Sequence, residues 1–424
     1  MAALRILMFT TFYPPYSFGG DAVGVQRMAR ALVARGHDVT VVHGEDAYLN
    51  LGGPVPAGEG AQDGVTRIGL RHRFGLVSDL LTQQTGYPVM HGARIRSLIT
   101  DGRYDIIWYN NMSLVGGPGL IRIGDALKVY EAHEHWLVCP THVLWRHGRE
   151  LCDERQCLRC VLNYRRPPQL WRYTGMIERA LDDVDLLIAK SEFSRDKHRE
   201  FGLRHEMEVL PYFLPDLDHN ATPPFAGHPR PYFLFVGRLE KIKGLQDVFP
   251  AFATDRGADL LILGDGDYAA NLKAQAAGNP RIRFLGRMSP DELASYYRGA
   301  LGLIVPSVCY ETFGIILIES FRLGTPVIAR RLGPFPEIVE TSGGGALFET
   351  EAELVAAMNA LQDDAALRER QARAARQAFE TRWREDRVLA AYGEALARAA
   401  HRKGDTQLAR KLTAGSLEIG SAAA

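Results

Sequence analysis

Short apolar runs alternate with amphipathic stretches along the first half of the chain. The run at residues 4–10 precedes a helical pattern at 21–35, which Gly36 closes before the next apolar run at 38–42. This order predicts a strand, a helix and a second strand, with a glycine-rich loop at the first turn. We predict further strands at residues 65–68, 106–109, 127–130 and 185–189, and helices at residues 93–101 and 170–181. Such alternation is typical of a doubly wound parallel sheet.

The alternation restarts after a proline-rich stretch. Residues 214–230 lack periodicity and carry several prolines, as linkers do. We predict strands beyond it at residues 232–236, 258–263, 282–285, 301–305 and 326–329. The sequence therefore predicts an α/β protein with a first Rossmann-like domain at residues 1–213 and a second at 231–379. Residues 365–400 have a long helical pattern, and we expect residues 404–424 to form a flexible tail.

Composition narrows the classes of function. The 424 residues include 50 basic and 50 acidic side chains, so no bulk charge favours a nucleic-acid partner. No window reaches ~18 consecutive apolar residues, and the N-terminal apolar run is too short for a signal sequence. We expect a cytoplasmic protein that binds no nucleic acid and makes at most peripheral contact with a membrane.

The stretch at residues 306–323 combines a helix N-terminus with two carboxylates. Phe313-Gly314 precedes a helical pattern, and the unpaired N–H groups at such a helix start suit a phosphate. Glu311 and Glu319 flank this position, eight residues apart. Amides for phosphate and carboxylates for hydroxyls are what a nucleoside diphosphate sugar requires. A surface helix with a favourable N-terminal glutamate explains the same residues.

Two glycine-containing turns follow strands of the second predicted domain. The turn from Gly237 to Gly244 places Arg238 and Lys243 at the carboxyl end of a strand, where α/β sheets bind ligands. A solvated basic turn is the alternative. Residues 264–269 match the G-x-G-x-x-A dinucleotide fingerprint, but the following strand ends without an acidic residue for a ribose. We therefore do not expect NAD binding.

Three elements in this order carry a family resemblance: Gly19-Gly20, Gly237-Arg238 with Lys243-Gly244, and Glu311-x7-Glu319. Together they resemble the family-4 retaining glycosyltransferases, the glycosyl transferases group 1 of GT-B architecture, from Leu4 to about Tyr392. The resemblance implies two Rossmann-like doubly wound domains facing a cleft. It also implies a C-terminal crossover helix, at about residues 380–400, that returns to the first domain. Trp383 and Tyr392 are the expected contacts of that helix.

The resemblance implies a role for each residue of these elements. Arg238 and Lys243 would hold the donor diphosphate and neutralise the leaving nucleotide. Glu311 would contact the donor sugar near the reacting centre, and Glu319 would accept hydrogen bonds from the ribose hydroxyls. The predicted catalytic residues are His133, Glu311, Arg238 and Lys243. The predicted donor-binding residues are Gly19, Gly20, Gly237, Arg238, Lys243, Glu311, Phe313, Gly314, Ile315 and Glu319.

His133 belongs to a second element of the resemblance. Residues 131–136 resemble the family's His-Asp element, with Glu134 where Asp is more usual. His133 would then orient a sugar hydroxyl or relay a proton. A hydrogen-bonded structural histidine is the alternative, and it suits His135 better than His133.

Four of the five cysteines fall within one short segment: Cys139, Cys152, Cys157 and Cys160. Four thiolates that include a C-x2-C pair fit a tetrahedral structural zinc site, although the spacing is not that of a standard zinc ribbon. An iron–sulfur cluster and a set of unrelated buried cysteines are the alternatives. A disulfide is not expected in a reducing cytoplasm.

The same segment interleaves arginines with aromatic residues. The arginines are Arg146, Arg149, Arg155, Arg159, Arg165, Arg166 and Arg172, and the aromatic residues are Trp145, Tyr164, Trp171 and Tyr173. This pattern suits a phosphorylated lipid carrier or an anionic bilayer surface. A solvated loop with incidental charge explains it nearly as well.

The predicted function is retaining glycosyl transfer. The donor is a UDP- or GDP-sugar, and the acceptor is a hydroxyl of a glycan or of a polyprenyl-phosphate-linked glycan. We expect no cofactor for catalysis, because Arg238 and Lys243 supply the positive charge at the leaving group. Two alternatives stay open. One is a sugar-nucleotide epimerase or phosphorylase of the same architecture, and the other is a catalytically silent protein that binds nucleotide sugars.

Overall fold

The computed structural model describes residues 3–56, 62–217, 222–413 and 417. The chain divides into two compact units, the first built from Met1–Pro211 and Val388–Ala424 and the second from Tyr212–Arg387. The residues predicted as a linker belong to the second unit, and residues 218–221 of that segment lie outside the described part.

A parallel sheet forms the centre of the first unit. Among the described residues it has seven strands in the order β3-β2-β1-β4-β5-β8-β9. The strands of this unit, including a separate antiparallel pair β6–β7, are β1 Arg5–Thr10, β2 Asp38–Gly44, β3 Thr66–Leu70, β4 Ile106–Tyr109, β5 Leu127–Ala132, β6 Trp145–Arg146, β7 Glu150–Leu151, β8 Leu186–Ala189 and β9 Glu208–Val209. The central strands are buried along their length, because helices cover both faces of a parallel sheet.

The first eight helices connect these strands. They are α1 Asp21–Ala34, α2 Glu45–Asn50, α3 Gly75–Thr85, α4 Gly92–Gly102, α5 Gly117–Ile121, α6 Cys157–Asn163, α7 Met176–Leu181 and α8 Glu192–Glu200. The helix predicted at residues 170–181 is wrong in one respect, because a 3-10 turn at Leu170–Tyr173 precedes α7 and is separated from it. Gly175, at φ 70°, makes that break.

The second unit repeats the plan around its own parallel sheet. Its order among the described residues is β12-β11-β10-β13-β14-β15. The strands are β10 Tyr232–Val236, β11 Asp259–Leu263, β12 Ile282–Gly286, β13 Gly302–Val305, β14 Val327–Arg330 and β15 Gly345–Phe348. Neighbouring residues enter opposite clusters, Leu234 and Leu303 on one face and Phe233 and Ile304 on the other. This period of two is the geometry of a strand with both faces buried.

The helices of the second unit lie between these strands and after them. They are α9 Ala269–Gln275, α10 Pro290–Gly299, α11 Ile315–Arg322, α12 Phe335–Ser342, α13 Glu351–Asp363 and α14 Ala365–Ala378. After Gly244, where the turn was expected to lead into a helix, the chain forms a 3-10 helix at Leu245–Phe252. Pro250 lies inside it and has no N–H to donate.

The C-terminal helical pattern is divided. A π turn at Phe379–Trp383 and an extended Arg384 separate α14 from α15 Glu385–Lys403, so residues 365–400 are not one helix. A further helix, α16 Thr406–Thr413, occupies part of the predicted flexible tail, and its Leu408 and Leu412 are buried. Residues 414–416 and 418–424 of that tail lie outside the described part.

The residues of α15 from Val388 onward belong to the first unit, as the predicted crossover helix requires. Tyr392 packs there against Trp108, with ring centroids 5.7 Å apart. The prediction for Trp383 is wrong, because its ring lies 5.8 Å from Phe321 in the core of the second unit. Across the described residues, no helix is long and apolar enough to cross a bilayer.

Candidate functional site

The strand order of the second unit fixes where a ligand site is expected. Strands β10 and β13 are neighbours, and the connections run outward from them in opposite directions. Doubly wound sheets bind ligands at such a switch point, beyond the carboxyl ends of the strands. The turn at residues 237–244 follows β10 and the loop at 306–314 follows β13. The structure therefore brings the two predicted donor motifs to one place.

Close backbone contacts hold these two loops together. The Val308 N–H donates to the Ile242 carbonyl at 2.9 Å. Gly244 has a φ of 68°, and a Cβ at this position would lie 2.1 Å from the Pro306 carbonyl oxygen. Only glycine tolerates both the left-handed backbone and this approach. Gly244 thus sets the separation of the two loops.

The stretch that matches a dinucleotide fingerprint supports the first of these loops. Gly264 follows β11, and a Cβ there would lie 1.9 Å from the Gly237 carbonyl oxygen. The Leu239 N–H donates to the Asp265 carbonyl at 3.0 Å. Because β11 lies on the side of β10 away from β13, the glycines of this stretch pack against the Arg238 turn.

Lys243 and Glu311 form an ion pair across the two loops. Lys243 Nζ donates to Glu311 Oε1 at 2.6 Å, and the Ser307 hydroxyl donates to the same oxygen at 3.1 Å. Burial lowers the pKa of Lys243, but the Glu311 carboxylate outweighs it and holds that pKa above its usual range. Lys243, which is predicted to bind phosphate, is therefore a cation. Glu311, which is predicted to contact the donor sugar, holds it in place.

Arg238 is the exposed cation of the site. Its side chain is 55% exposed and pairs with Glu240 at 2.8 Å. It follows Gly237, whose φ of 154° turns the chain out of β10. A guanidinium that solvent reaches in this way is free to reorient toward a phosphate.

The start of α11 lies in the second loop. Gly314 precedes Ile315, the first residue of the helix, and has a φ of 120°. A Cβ at Gly314 would lie 2.8 Å from the Phe335 ring, so a larger residue would disturb the helix start. Phe313 is buried against Tyr212, with centroids 5.6 Å apart. The first amides of α11, which have no carbonyl one helical turn earlier to bond within the helix, thus start at the loop that carries Glu311.

Glu319 lies in the second turn of α11. Its Oε2 accepts a hydrogen bond from the Tyr297 hydroxyl at 3.3 Å. Burial, and then the Glu319 carboxylate, raise the pKa of Tyr297 well above its usual range, so the phenol remains a donor. Glu319 is partly exposed, so solvent reaches its carboxylate beside the Tyr297 hydroxyl.

The glycine pair of the first unit lies at the corresponding switch point, between β1 and β4. Gly19 and Gly20 have φ values of 104° and 57°, and open space surrounds the position of a Cβ at each. The next residue, Asp21, accepts a hydrogen bond from Asn111 at 3.2 Å. Burial, with the charge of Glu134, raises the pKa of Asp21 to about 6.

His133 lies directly after β5 and is buried. Its Nε2 donates to the Asn110 amide oxygen at 2.8 Å and lies 3.7 Å from Glu131 Oε1. Burial lowers the pKa of His133 to about 4, although Glu131 opposes this. The imidazole is therefore neutral at physiological pH, which suits a hydrogen-bonding role better than that of a cation.

A buried polar network beside His133 is absent from the sequence predictions. Glu131 Oε1 contacts Lys190 Nζ and accepts from the Tyr392 hydroxyl at 3.1 Å, while its Oε2 accepts from Trp108 Nε1 at 2.8 Å. Lys190 also donates to the Tyr392 oxygen at 2.6 Å. The sequence carries a signal for this network, because Glu131 lies inside an apolar strand and Lys190 directly follows another apolar strand.

The four clustered cysteines are free thiols close to one another. Burial, and then the three neighbouring thiols, raise the pKa of Cys152 to about 12. The His147 N–H donates to Cys160 Sγ at 3.3 Å, and Cys157 lies at the start of α6. Among the side chains that the structure describes, no group of three His, Cys, Asp or Glu is placed to hold a metal ion. Zinc at Cys139, Cys152, Cys157 and Cys160 stays a prediction.

Two family models match this chain and together span most of it. The model of the glycosyl transferases group 1 matches residues 222–378, and that of Glycosyltransferase Family 4 matches residues 18–214. The chain belongs to the family-4, group 1 glycosyltransferases. The predicted family is confirmed, and the enzyme is a glycosyltransferase.

Individual relatives agree with this assignment. A glycogen synthase of Mycobacterium tuberculosis is 29% identical over an alignment of 402 residues that covers 88% of this chain and 90% of the relative. Sucrose-phosphate synthase from Thermosynechococcus elongatus superimposes with a TM-score of 0.70 at 19% identity, over 97% of this chain and 100% of that structure. Anabaena Alr3699/HepE, solved with UDP and glucose, superimposes with a TM-score of 0.65 at 17% identity and the same coverage. The predicted GT-B fold class is confirmed.

Proposed function

We propose that this glycosyltransferase moves a sugar from a nucleoside diphosphate donor to an acceptor hydroxyl, with retention at the anomeric carbon. The observation that carries the proposal is the convergence, at the switch point of the second unit, of Arg238, Lys243 and the start of α11. Two cations and a helix N-terminus favour the negative charge that develops on a departing diphosphate.

Lys243 acts in this proposal as the fixed charge. An ammonium group carries three N–H donors, and Glu311 takes one of them. The others serve phosphate oxygens, while Arg238 swings in from solvent as a second ligand. Glu319 accepts hydrogen bonds from the ribose hydroxyls. The phosphates of the donor face the backbone amides of Phe313, Gly314 and Ile315.

Retention follows in this proposal from attack on the same face. Glu311 Oε1 already accepts hydrogen bonds from Lys243 and Ser307, which makes it a poor nucleophile. The acceptor oxygen therefore forms the new bond to the anomeric carbon as the bond to the diphosphate oxygen breaks. The acceptor's proton passes to the departing phosphate oxygen.

The first unit, with His133, is proposed to bind the acceptor, a glycan or a lipid-linked glycan, while the donor-binding role of Gly19 and Gly20 stays a prediction. For the donor, we propose a UDP- or GDP-sugar. Anabaena Alr3699/HepE was solved in complex with UDP and glucose, which supports UDP-glucose as the first donor to test.

The test removes each cation of the donor site. Arg238→Ala and Lys243→Ala should each lower kcat by ~10²-fold or more, because each removes charge stabilisation of the leaving group. Lys241→Ala is the matched control, since Lys241 lies in the same turn and is exposed. Near-normal turnover in both site variants, measured with donors at saturation, would remove the phosphate assignment.

Product analysis separates the remaining alternatives. A transferase releases nucleotide only with an acceptor, and NMR of its product shows the anomeric configuration of the donor. An epimerase consumes donor without acceptor, and a phosphorylase requires free phosphate. A silent binding protein raises its Tm with donor but turns nothing over.

A further inference from the structure

A cavity of about 650 Å³ lies within the first unit. Its apolar walls include Leu137 and Val138 from the loop after β5, Leu158 and Val161 from α6, and Ile177 from α7. Cavities of roughly 300–1,000 Å³ hold small molecules in proteins. No residue predicted to bind the donor lines it, and neither does His133. The cavity is therefore separate from the site described above.

The polar lining of this cavity is mostly cationic. Arg155, Arg159 and Arg172 line it, with Glu178 as the carboxylate among the lining residues. Within the part of the chain that the structure describes, none of the three arginines forms an ion pair with an acidic side chain. Three guanidinium groups thus line the cavity against the single carboxylate of Glu178 among its lining residues.

Arg172 is held rigidly against the cavity. Its Nη1 donates to the Trp136 carbonyl at 2.9 Å, and its Nε donates to the Gln169 side chain. The guanidinium carbon lies 4.9 Å from the Trp171 ring centroid and 5.2 Å from that of Trp136. Its Nη2 is buried and has no hydrogen-bond partner among the described residues. Burial lowers the pKa of Arg172 to about 10, so it stays charged at pH 7.

A fixed guanidinium whose buried Nη2 has no acceptor is unfavourable unless an anion supplies one. We propose that the cavity binds an amphiphile with a phosphate head, whose phosphate lies on Arg172 and whose hydrocarbon chain lies on the apolar wall. A guanidinium presents parallel N–H donors that match phosphate oxygens. Leu158 and Tyr173, which line the cavity, are 49% and 66% exposed and offer apolar surface at its mouth.

The amphiphile is identified here as the lipid end of the acceptor, an assignment that rests on the proposed transferase function. The phosphate would come from a polyprenyl-phosphate-linked glycan. The cavity wall begins at Leu137, four residues after His133, so a chain segment of the proposed acceptor-binding unit connects the two. Binding itself is measurable without any donor.

The test compares three probes by calorimetric titration of the whole protein. Farnesyl phosphate has both chain and phosphate, farnesol has only the chain, and inorganic phosphate has only the anion. We expect farnesyl phosphate to bind at least 10-fold more tightly than either partial probe, because both halves of the cavity are then used. The fluorescence of Trp136 and Trp171 should change in the same titration, since both rings lie against Arg172.

Two variants locate the binding. Arg172→Met should bring farnesyl phosphate to the affinity of farnesol, and Arg159→Met, on the exposed side of α6, should weaken it several-fold without risk to folding. Arg149→Met is the control, because Arg149 is exposed on the same segment and does not line the cavity. Equal affinity for the phosphate and the alcohol would overturn the proposal.

Three further outcomes separate this proposal from the alternatives. Sedimentation with phosphatidylglycerol vesicles, without saturable farnesyl phosphate binding, would assign the arginines to a bilayer surface and overturn the cavity site. Transfer to soluble glycans without farnesyl phosphate binding would remove this inference and leave the proposed function standing. Farnesyl phosphate binding that Arg172→Met abolishes, in a protein that turns over no donor, would support the cavity and remove the proposed function.

Discussion

The Glu131–Lys190 pair gives the sharpest structural test in the first unit. The two side chains are 4% and 1% exposed, and the Tyr392 hydroxyl bridges them from α15. Lys190→Met keeps the length and apolar stem of the side chain but removes its charge. Glu131 then remains buried with hydrogen bonds from Tyr392 and Trp108 and without a cation.

The expected loss follows from these contacts. Removing one partner of a buried ion pair typically destabilises a protein by about 3–5 kcal/mol. Because two neutral donors to Glu131 survive, we expect the lower end, about 3 kcal/mol. Burial raises the pKa of Glu131, but the charge of Lys190 more than offsets it, so the net pKa is lowered. Without Lys190 that pKa rises, so the variant's deficit should be larger at pH 8 than at pH 5.

Hydrogen exchange of β5 and α15 amides in increasing urea measures this loss for the first unit alone, since a two-unit chain need not unfold in one step. The control is the double variant Glu131→Gln/Lys190→Met, which removes both charges and should be more stable than Lys190→Met. A single variant within 1 kcal/mol of the unmodified protein, or a double variant that is less stable than the single, would refute the reasoning.

Three further predictions concern other parts of the chain. Glu319→Ala should raise the KM for donor with little change in kcat, because ribose contacts serve ground and transition states alike; an unchanged KM with a collapsed kcat would contradict this role. The purified protein should carry about one equivalent of zinc that Cys157→Ser removes; elemental analysis checks this, and a metal-free protein with four alkylated thiols would end the idea. Burial lowers the pKa of His198 from 6.5 to about 4, so the stability that its neutral imidazole contributes is lost as pH falls through this window. His198→Gln should therefore reduce the loss of stability between pH 6.5 and 4 by up to about 3 kcal/mol, measured by urea unfolding at each pH; an unchanged slope would contradict it.

Local patterns in the sequence are enough to predict the strands and the donor motifs. The apolar run at residues 232–236 is β10 as predicted, and Ile315 starts α11 after Gly314. The spacing of apolar residues and the positions of glycines determine local structure over a few residues, so these elements can be predicted without knowledge of the rest of the chain. The breaks at Gly175 and at residues 379–384 were missed, because helical periodicity continues across both.

What the sequence by itself determined is the family, the fold class and which residues belong to each motif. Only the tertiary structure showed that Lys243 pairs with Glu311, and that Glu131, Lys190 and Tyr392 meet although 261 positions separate the first from the last. The strand order brings these groups together, and hydrogen bonds and burial then fix their charges. Propensity and spacing report on neighbours along the chain, whereas ion pairs and pKa shifts depend on neighbours in space.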